Sequence, residues 1–369
     1  MGIYIVNLIS MPFYGLLKDK RFATALPGIQ MFLILAFRSI TTGMDLTNYR
    51  GGFEYIATLN FRDMIGRLHF FRTADLVYPY VYESGYSVIN WIAAKIGLSF
   101  HGFLVLIAAF TMISISVFIY RYSVRPYISY IIFIGLGMYM YSFGILRQTI
   151  ALCVVLWAFP FIYEKKYIKT VVTILIAFTI HRSSLIFCLL LLFRNIKISK
   201  KYLVRFLIGC ILFMFISPIL YKILFVKILS FLGKTRYISS TFSFNYQIIV
   251  MFLISITILI FLDFNLLENY FNRMMMWGFL LSIPLEILGM NNEGFARIVE
   301  YFYLFSIIVI PLTIENYGLK INLHKKYKYQ VVQKRGEVLL VTKVLLLFAM
   351  LWLMIHQLKG TVLVPYKLF

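Results

Sequence analysis

The chain has 369 residues, of which 62% are apolar and only 14% are charged. A soluble domain averages about 45–50% apolar and about 25% charged residues, so this composition excludes a soluble globular enzyme. The apolar runs are continuous and do not alternate with polar residues, which excludes a transmembrane β-barrel. We therefore predict an all-α polytopic transmembrane helical bundle of about 11–13 spans, because each span needs about 20 apolar residues.

The charge is strongly asymmetric, with 36 Lys and Arg residues against 14 Asp and Glu residues and a formal net charge of +22. In a soluble protein this excess would suggest a nucleic-acid partner. In a membrane protein the same excess marks cytoplasmic loops, so we expect membrane lipids as partners and no nucleic acid.

The apolar runs, taken in chain order, predict spans at 3–17, 24–40, 102–120, 127–143, 148–163, 168–180, 184–193, 202–224, 247–262, 274–288, 298–313 and 338–356. The polar stretch 41–83 is predicted to be a long extracytoplasmic loop, and the amphipathic piece 86–96 an interfacial helix. Residues 315–337 are predicted to form a basic cytoplasmic loop that attracts anionic lipid headgroups. The whole chain, 1–369, is expected to insert as a single integral membrane domain.

The run 168–193 allows two topologies. Two short spans separated at His181 keep every flanking basic cluster in the cytoplasm and place His181 at an outer turn. A single span would instead put His181 at mid-membrane and break the rule for one cluster. We prefer the two-span topology.

Sites for metals, nucleotides and disulfides are not evident in the sequence. Cys153, Cys188 and Cys210 lie inside apolar runs and lack the C-x-x-C spacing of a metal or redox site. The chain also has no P-loop and no dinucleotide-binding glycine motif. We therefore expect no metal and no cofactor.

Four arginines are predicted at the outer ends of spans, away from the cytoplasmic clusters: Arg38, Arg147, Arg182 and Arg297. Inserting a charged side chain at membrane depth costs about 2.5–3.5 kcal/mol, so a charged residue there is expected to have a functional or structural role. Binding a pyrophosphate is one such role, because a guanidinium group matches phosphate oxygens bidentately. Snorkelling to lipid headgroups is the alternative for Arg38, and pairing with Glu293 or Glu300 is the alternative for Arg297.

Arg147 is the strongest of these candidates. Together with Gln148 it opens an apolar helix, and no acidic residue lies nearby in the sequence to compensate its charge. We therefore predict that Arg147 and Gln148 contact the substrate.

Three residues are candidates for accepting a proton. His181 is followed by Arg182 at a turn inside an apolar stretch, although a lone histidine is more often a packing residue. Glu83 and Asp45 are the other two, and each also suits a structural role, as a helix cap or in an Asx-turn. The nearby Tyr86 offers a flat face for a sugar, but tyrosine is equally common in the interface belts of membrane proteins.

The order of several short motifs resembles the EpsG family of bacterial exopolysaccharide proteins, which look like Wzy-type polysaccharide polymerases. The motifs are Arg38-x₄-Gly43-x-Asp45-x₃-Tyr49, Glu83-x-Gly85-Tyr86, Arg147-Gln148-x₂-Ala151, His181-Arg182-Ser183-Ser184, Arg297 before Tyr301-Phe302, and Pro365-Tyr366. The resemblance spans nearly the whole chain. One departure is Ser84, where the family commonly has proline.

The resemblance implies a polymerase at the outer face of the bacterial cytoplasmic membrane that joins undecaprenyl-pyrophosphate-linked oligosaccharide repeat units. It also implies a chain-length regulator protein as a possible partner. Arg147, Arg182 and Arg297 would stabilise the leaving pyrophosphate, and His181 would be the base, with Glu83 or Asp45 as alternatives. Arg38, Tyr49 and Tyr86 would contact the substrate. The alternative function is a transporter, or flippase, for the same lipid-linked oligosaccharide.

Overall fold

The computed structural model describes residues 1–66, 82–225, 243–320 and 328–369. These residues form helices joined by turns. The β-type pairing among the described residues is an isolated antiparallel bridge between Arg38 and Leu368. The predicted all-α class is confirmed.

The helices of the first half are α1 (Gly2–Tyr14), α2 (Lys20–Ala36), α3 (Leu46–Thr58), α4 (Phe61–Gly66), α5 (Ser84–Lys95), α6 (Phe100–Tyr122), α7 (Pro126–Gly135), α8 (Met138–Tyr141), α9 (Leu146–Tyr163) and α10 (Tyr167–Ile180). Those of the second half are α11 (Leu189–Phe193), α12 (Lys200–Leu220), α13 (Tyr246–Phe261), α14 (Tyr270–Gly289), α15 (Glu293–Tyr303), α16 (Ser306–Lys320) and α17 (Lys328–Leu358).

Five helices within the described residues are long and apolar enough to cross a membrane: Phe100–Tyr122, Leu146–Tyr163, Lys200–Ile223, Arg297–Asn316 and Glu337–Leu358. Shorter apolar helices accompany them, among them α1, α7, α10 and α13. Large apolar side chains such as Ile208, Leu212 and Phe215 point outwards, which suits a hydrocarbon environment. The chain is therefore a multi-pass membrane protein, and the count of about 11–13 spans stays a prediction.

One predicted boundary needs correction. The predicted span 127–143 is two helices, because Gly137 adopts a left-handed conformation with φ of 84° between α7 and α8.

The predicted outer loop 41–83 includes the short helices α3 and α4, and its residues 67–81 lie outside the described part of the chain. Its extracytoplasmic location stays a prediction. The predicted span 298–313 falls within the apolar stretch Arg297–Asn316, in which a turn at Leu304 and Phe305 separates α15 from α16.

The break predicted at His181 is confirmed. Helix α10 ends at Ile180, and His181 is extended, with φ of −153° and ψ of 116°. A 3₁₀ turn from Arg182 to Cys188 then leads into α11.

The chain divides into two compact units. The first comprises 1–185 and 345–369, and the second comprises 186–344. In the second unit α14 packs closely on α15, and its Trp277 is fully buried. The predicted single integral domain stays a prediction.

Two antiparallel helix pairs set the ends of the first unit. Helix α9 turns back into α10 through residues 164–166, so the start of α9 and the end of α10 lie at the same end of the unit. Helix α2 packs on α6 where Gly28 faces Ser116, and a side chain at Gly28 would collide with the Ser116 hydroxyl. Close packing of α9 on α10 brings Arg147, at the start of α9, and His181, directly after α10, to the same end of the unit.

Candidate functional site

A carboxylate joins three separate elements at one end of the first unit. Glu83 lies just before α5, Arg147 lies in the first turn of α9, and His181 follows α10. Arg147 Nη1 donates to Glu83 Oε2 at 2.6 Å, and His181 Nδ1 lies 3.0 Å from Glu83 Oε1. These three residues are the Glu83 cluster.

Close packing of α5 on α10 explains why Glu83 reaches His181. Gly85 lies against Thr179 in the last turn of α10, and a Cβ atom there would be 2.8 Å from the Thr179 carbonyl carbon and oxygen. Such a distance is a collision, so the first turn of α5 needs glycine at this position. The motif Glu83-Ser84-Gly85-Tyr86 therefore places an acid beside the end of α10.

Three tyrosines surround the guanidinium group of Arg147. Its carbon Cζ lies 5.9 Å from the ring centroid of Tyr49 and 5.3 Å from that of Tyr82, and Arg147 Nε donates to the Tyr49 hydroxyl at 3.3 Å. The ring of Tyr86, which is fully buried, meets both other rings edge-on, at 5.7 and 5.2 Å. Cation–π attraction adds to the ion pair, so the guanidinium is held in one orientation.

Glu83 lies outside the predicted spans, and its surroundings keep it ionised. Burial acts to raise the pKa of its carboxyl group, but the hydrogen bond with His181 and the positive charge of Arg147 lower this pKa to about 2. At neutral pH the carboxylate therefore accepts hydrogen bonds and is a weak base.

An ionised Glu83 also fixes the tautomer of His181. A carboxylate has no proton to donate, so the contact at 3.0 Å requires a proton on His181 Nδ1. In the neutral ring Nε2 is then the acceptor. This arrangement, in which an acid orients a histidine that takes a proton, is the one that activates hydroxyl nucleophiles in many enzymes.

The cluster is accessible from outside the protein. The side chains are partly exposed, at 28% for Arg147, 23% for His181 and 13% for Glu83. Arg147 uses two of the five N–H donors of a guanidinium group in its bonds to Glu83 and Tyr49. The remaining donor capacity suits an anionic group of a bound substrate.

The structure thus brings together five of the predicted site residues: Glu83, Arg147, His181, Tyr49 and Tyr86. The acid that pairs with Arg147 is Glu83, which lies 64 positions earlier in the chain and so is not its neighbour in the sequence.

Two further predicted residues adjoin the cluster along the chain. Arg182 directly follows His181 at the start of the 3₁₀ turn and is half-buried. Gln148 directly follows Arg147 in α9 and is buried, with 4% of its surface exposed.

The placement of Arg38 does not support the predicted substrate contact. Arg38 is 1% exposed, its Nε donates to the Phe143 carbonyl at 3.1 Å, and its Nη1 donates to the Leu35 carbonyl. Backbone bonds join its neighbours to the end of the described chain, with Ser39 N donating to Lys367 O at 2.8 Å. The guanidinium group of Arg38 therefore connects α2 to the turn before α9, which is a packing role.

Asp45 and Arg297 are the two remaining predicted site residues. Asp45 is exposed, adopts a left-handed conformation with φ of 64°, and precedes α3 without a side-chain cap bond. It lies one helical turn before Tyr49, whose N–H donates to the Asp45 carbonyl at 2.9 Å. Arg297 is exposed and belongs to α15 of the second unit.

Tyr82 also belongs to the site, although the sequence prediction favoured an interface-belt role and did not include it among the site residues. Its hydroxyl donates to the Asn48 carbonyl at 3.0 Å, its ring stacks on Tyr49, and the backbone of Gly52 lies against it. Tyr82 directly precedes Glu83 in the sequence, and this position indicated a place in the site. Because tyrosine is also common at membrane interfaces, the position alone did not distinguish the two roles.

No group of three His, Cys, Asp or Glu residues arranged to hold a metal ion occurs within the described residues.

Comparison with known proteins gives one family. The model of the EpsG family matches residues 24–368. No curated protein and no solved structure matches the chain.

The shifted pKa of Glu83 predicts a dependence of stability on pH. Because the pKa in the folded protein, about 2, lies below the ordinary 4.5, ionised Glu83 stabilises the fold above pH 4.5, and this contribution disappears as the pH falls towards 2. Between pH 6 and pH 3 the loss amounts to about 2 kcal/mol.

Thermal unfolding of the purified protein in detergent measures this loss. The difference in stability between the wild type and Glu83→Gln should shrink as the pH falls from about 6 to about 3. Glu54→Gln is the matched control, because Glu54 is more than half exposed and its pairing with Arg50 contributes little. A difference that stays constant with pH for Glu83→Gln would contradict the ionised assignment.

Proposed function

The chain belongs to the EpsG family, and from this premise we propose that it is a polysaccharide polymerase. Family membership and the apolar helices identify a multi-pass membrane protein of exopolysaccharide biosynthesis. In our proposal it is a glycosyltransferase that joins undecaprenyl-pyrophosphate-linked oligosaccharide repeat units at the outer face of the bacterial cytoplasmic membrane.

One observation carries the proposal: a single carboxylate, Glu83, holds both an arginine and a histidine at a partly exposed position. Glycosyl transfer from a pyrophosphate donor needs a base for the attacking hydroxyl and positive charge for the leaving group. His181 and Arg147 supply these two requirements side by side. A transporter for the same lipid would need the charges but has no use for an oriented base.

In the proposed reaction His181 Nε2 takes the proton from a hydroxyl at the non-reducing end of the incoming repeat unit. The hydroxyl oxygen then forms a bond to the anomeric carbon of the growing chain, and the bond from that carbon to the pyrophosphate oxygen breaks. The bonding electrons leave with undecaprenyl pyrophosphate, whose charge Arg147 stabilises with help from Arg182. The donor carries its own activation, so the step requires no nucleotide.

The pKa of about 2 argues against Glu83 as the proton acceptor, since a group that acidic is a poor base near neutral pH. We assign Glu83 to orienting His181 and holding Arg147. Asp45, which is exposed and lies one turn from Tyr49, is the carboxylate that remains as an alternative base.

The hairpin of α9 and α10 supports an outer location for the cluster. Arg147 and His181 lie at its open end, whereas Lys165, Lys166 and Lys169 lie at the end where α9 turns into α10. A helix of 18 residues is about 27 Å long, close to the thickness of a bilayer core of about 30 Å. Short basic loops face the cytoplasm, so the open end faces outwards.

The activity is tested with the purified protein in liposomes that contain undecaprenyl-pyrophosphate-linked repeat units and no nucleotide. We expect polymers of increasing length and one undecaprenyl pyrophosphate released for each new linkage. Arg147→Lys should lower the rate roughly tenfold to a hundredfold, because losing the guanidinium fork costs about 1.5–3 kcal/mol of charge-assisted bonding. His181→Ala should lower it about 10²–10⁴-fold, as expected for loss of a general base.

Two matched controls accompany these variants. Arg21→Lys changes an exposed arginine at the start of α2, and His356→Ala removes an exposed histidine of α17. Both should polymerise at the wild-type rate. If folded Arg147→Lys and His181→Ala proteins were as active as these controls, the assigned roles would be wrong.

The proposed orientation is tested separately by cysteine labelling in intact cells. In a background that lacks the three native cysteines, an impermeant maleimide should label Thr58→Cys, which is exposed in α3. It should spare Glu164→Cys, which is exposed in the turn between α9 and α10, until the membrane is permeabilised. The reverse labelling pattern would place the cluster in the cytoplasm.

A further inference from the structure

A cleft in the first unit is lined by residues other than those of the Glu83 cluster. Its volume is about 570 Å³, and it is bordered by α3, the start of α6 and the last described residues of the chain. We name it the Arg50 cleft after one of its members, which also include Glu54, His101 and Phe369. Sites for small molecules span about 300–1,000 Å³, so the cleft has a suitable size.

An aromatic platform forms one side of the cleft. The ring of Phe369 stacks on the ring of His101 with centroids 3.6 Å apart and planes 15° from parallel, yet Phe369 is 75% exposed. The backbone N–H of Phe369 donates to the Phe37 carbonyl at 3.0 Å, which holds the residue in place. One face of the phenyl ring is thus supported by histidine while much of the residue remains exposed.

Polar groups face the cleft from α3. Arg50 Nε and Glu54 Oε1 form an ion pair at 2.7 Å, and the two side chains are 50% and 57% exposed. The pair carries no net charge and offers both donors and acceptors to a bound molecule. His101, on α6, supports the Phe369 ring, and its Nδ1 is buried without a hydrogen-bond partner among the described residues.

An exposed aromatic face beside planar donors and acceptors fits a neutral carbohydrate. A sugar ring has an apolar face that stacks on an aromatic ring, and hydroxyl groups at its edge that donate and accept hydrogen bonds. A lipid chain would make no use of the donors and acceptors that Arg50 and Glu54 leave exposed.

Helix α3 connects the Glu83 cluster with the Arg50 cleft. Its Tyr49 contacts Arg147. The next residue, Arg50, lines the cleft, and so does Glu54 one turn further along. The rise from Tyr49 to Glu54 is about 7.5 Å along the helix, a distance that a short oligosaccharide can span. Phe53, between them, packs on Phe100 and Phe103 of α6, which fixes α3 in place.

We propose that the Arg50 cleft is a carbohydrate subsite that holds a neutral oligosaccharide segment of the growing polymer while the Glu83 cluster carries out transfer. This inference rests on the proposed polymerase function. A polymer held at a second place stays bound between transfers, so the cleft increases the number of units added per encounter. Losing it shortens the polymer more than it slows the formation of a single linkage.

The first experiment measures binding. The probe is a set of neutral oligosaccharides obtained by partial acid hydrolysis of the exopolysaccharide from cells that express this chain, titrated calorimetrically into the full-length protein in detergent. Phe369→Ala and Glu54→Ala should each weaken binding at least tenfold. Phe22→Ala, which removes an exposed phenylalanine of α2, should bind as the wild type does.

Arg147→Lys separates this inference from the proposed function. It should bind the oligosaccharides normally, because the cleft is intact, while polymerising lipid-linked units roughly tenfold to a hundredfold more slowly than the wild type. If the wild type bound the oligosaccharides through Phe369 but made no polymer, the polymerase proposal would fail and the carbohydrate subsite would stand. Absence of binding to the wild type, or equal binding to folded wild-type and Phe369→Ala proteins, would overturn the subsite.

The second experiment measures polymer length in the liposome assay. Phe369→Ala and Glu54→Ala should shift the product to chains at least twofold shorter, with the rate of the first linkage within about twofold of the wild type. Arg50→Ala gives a third, independent removal of a cleft side chain, in case either of the others unfolds. Wild-type chain lengths in all folded cleft variants would contradict the proposed role.

Discussion

The ionised carboxylate of Glu83 is the constraint on which the candidate site depends. A guanidinium group that opens an apolar helix needs a partner, and a partly buried carboxylate needs one as well. Glu83 meets the requirement of Arg147 at 2.6 Å and at the same time orients His181 at 3.0 Å. Arg147 and His181 lie 64 and 98 positions after Glu83 in the chain, and the shared carboxylate joins all three side chains in one cluster.

Much of this site was predictable from single residues. Arg147 and His181 stood out because a charged or titratable group near membrane depth is costly, and Glu83 stood out because the chain has only 14 acidic residues. The helix break at His181 followed from the short apolar runs and the basic clusters on either side. The pairing of Glu83 with Arg147 was not predictable, because sequence spacing carries no information about contacts between distant helices. The close approach that makes it possible depends on Gly85, which lies against Thr179.

Arg38 shows that two arginines can look alike in the sequence and occupy different surroundings in the fold. From the sequence it resembled Arg147, since both lie at the predicted outer end of an apolar run. In the fold Arg38 donates to backbone carbonyls of Phe143 and Leu35, and so helps to fix the turn that leads into α9. A buried arginine can satisfy its donors with carbonyl oxygens as well as with phosphate, and the sequence alone does not distinguish these acceptors. Arg38 contributes to the site indirectly, by supporting the segment before Arg147.

A double-mutant cycle on Glu83 and Arg147 tests whether the two side chains stabilise the fold as one coupled pair. The free energy of unfolding in detergent at neutral pH is measured for the wild type, Glu83→Gln, Arg147→Met and the double variant. We predict that each single variant is destabilised by about 1–3 kcal/mol and that the double variant is no less stable than the worse single variant, because removing either partner strands the other. Strictly additive effects would show that the two residues are energetically independent and would contradict the account.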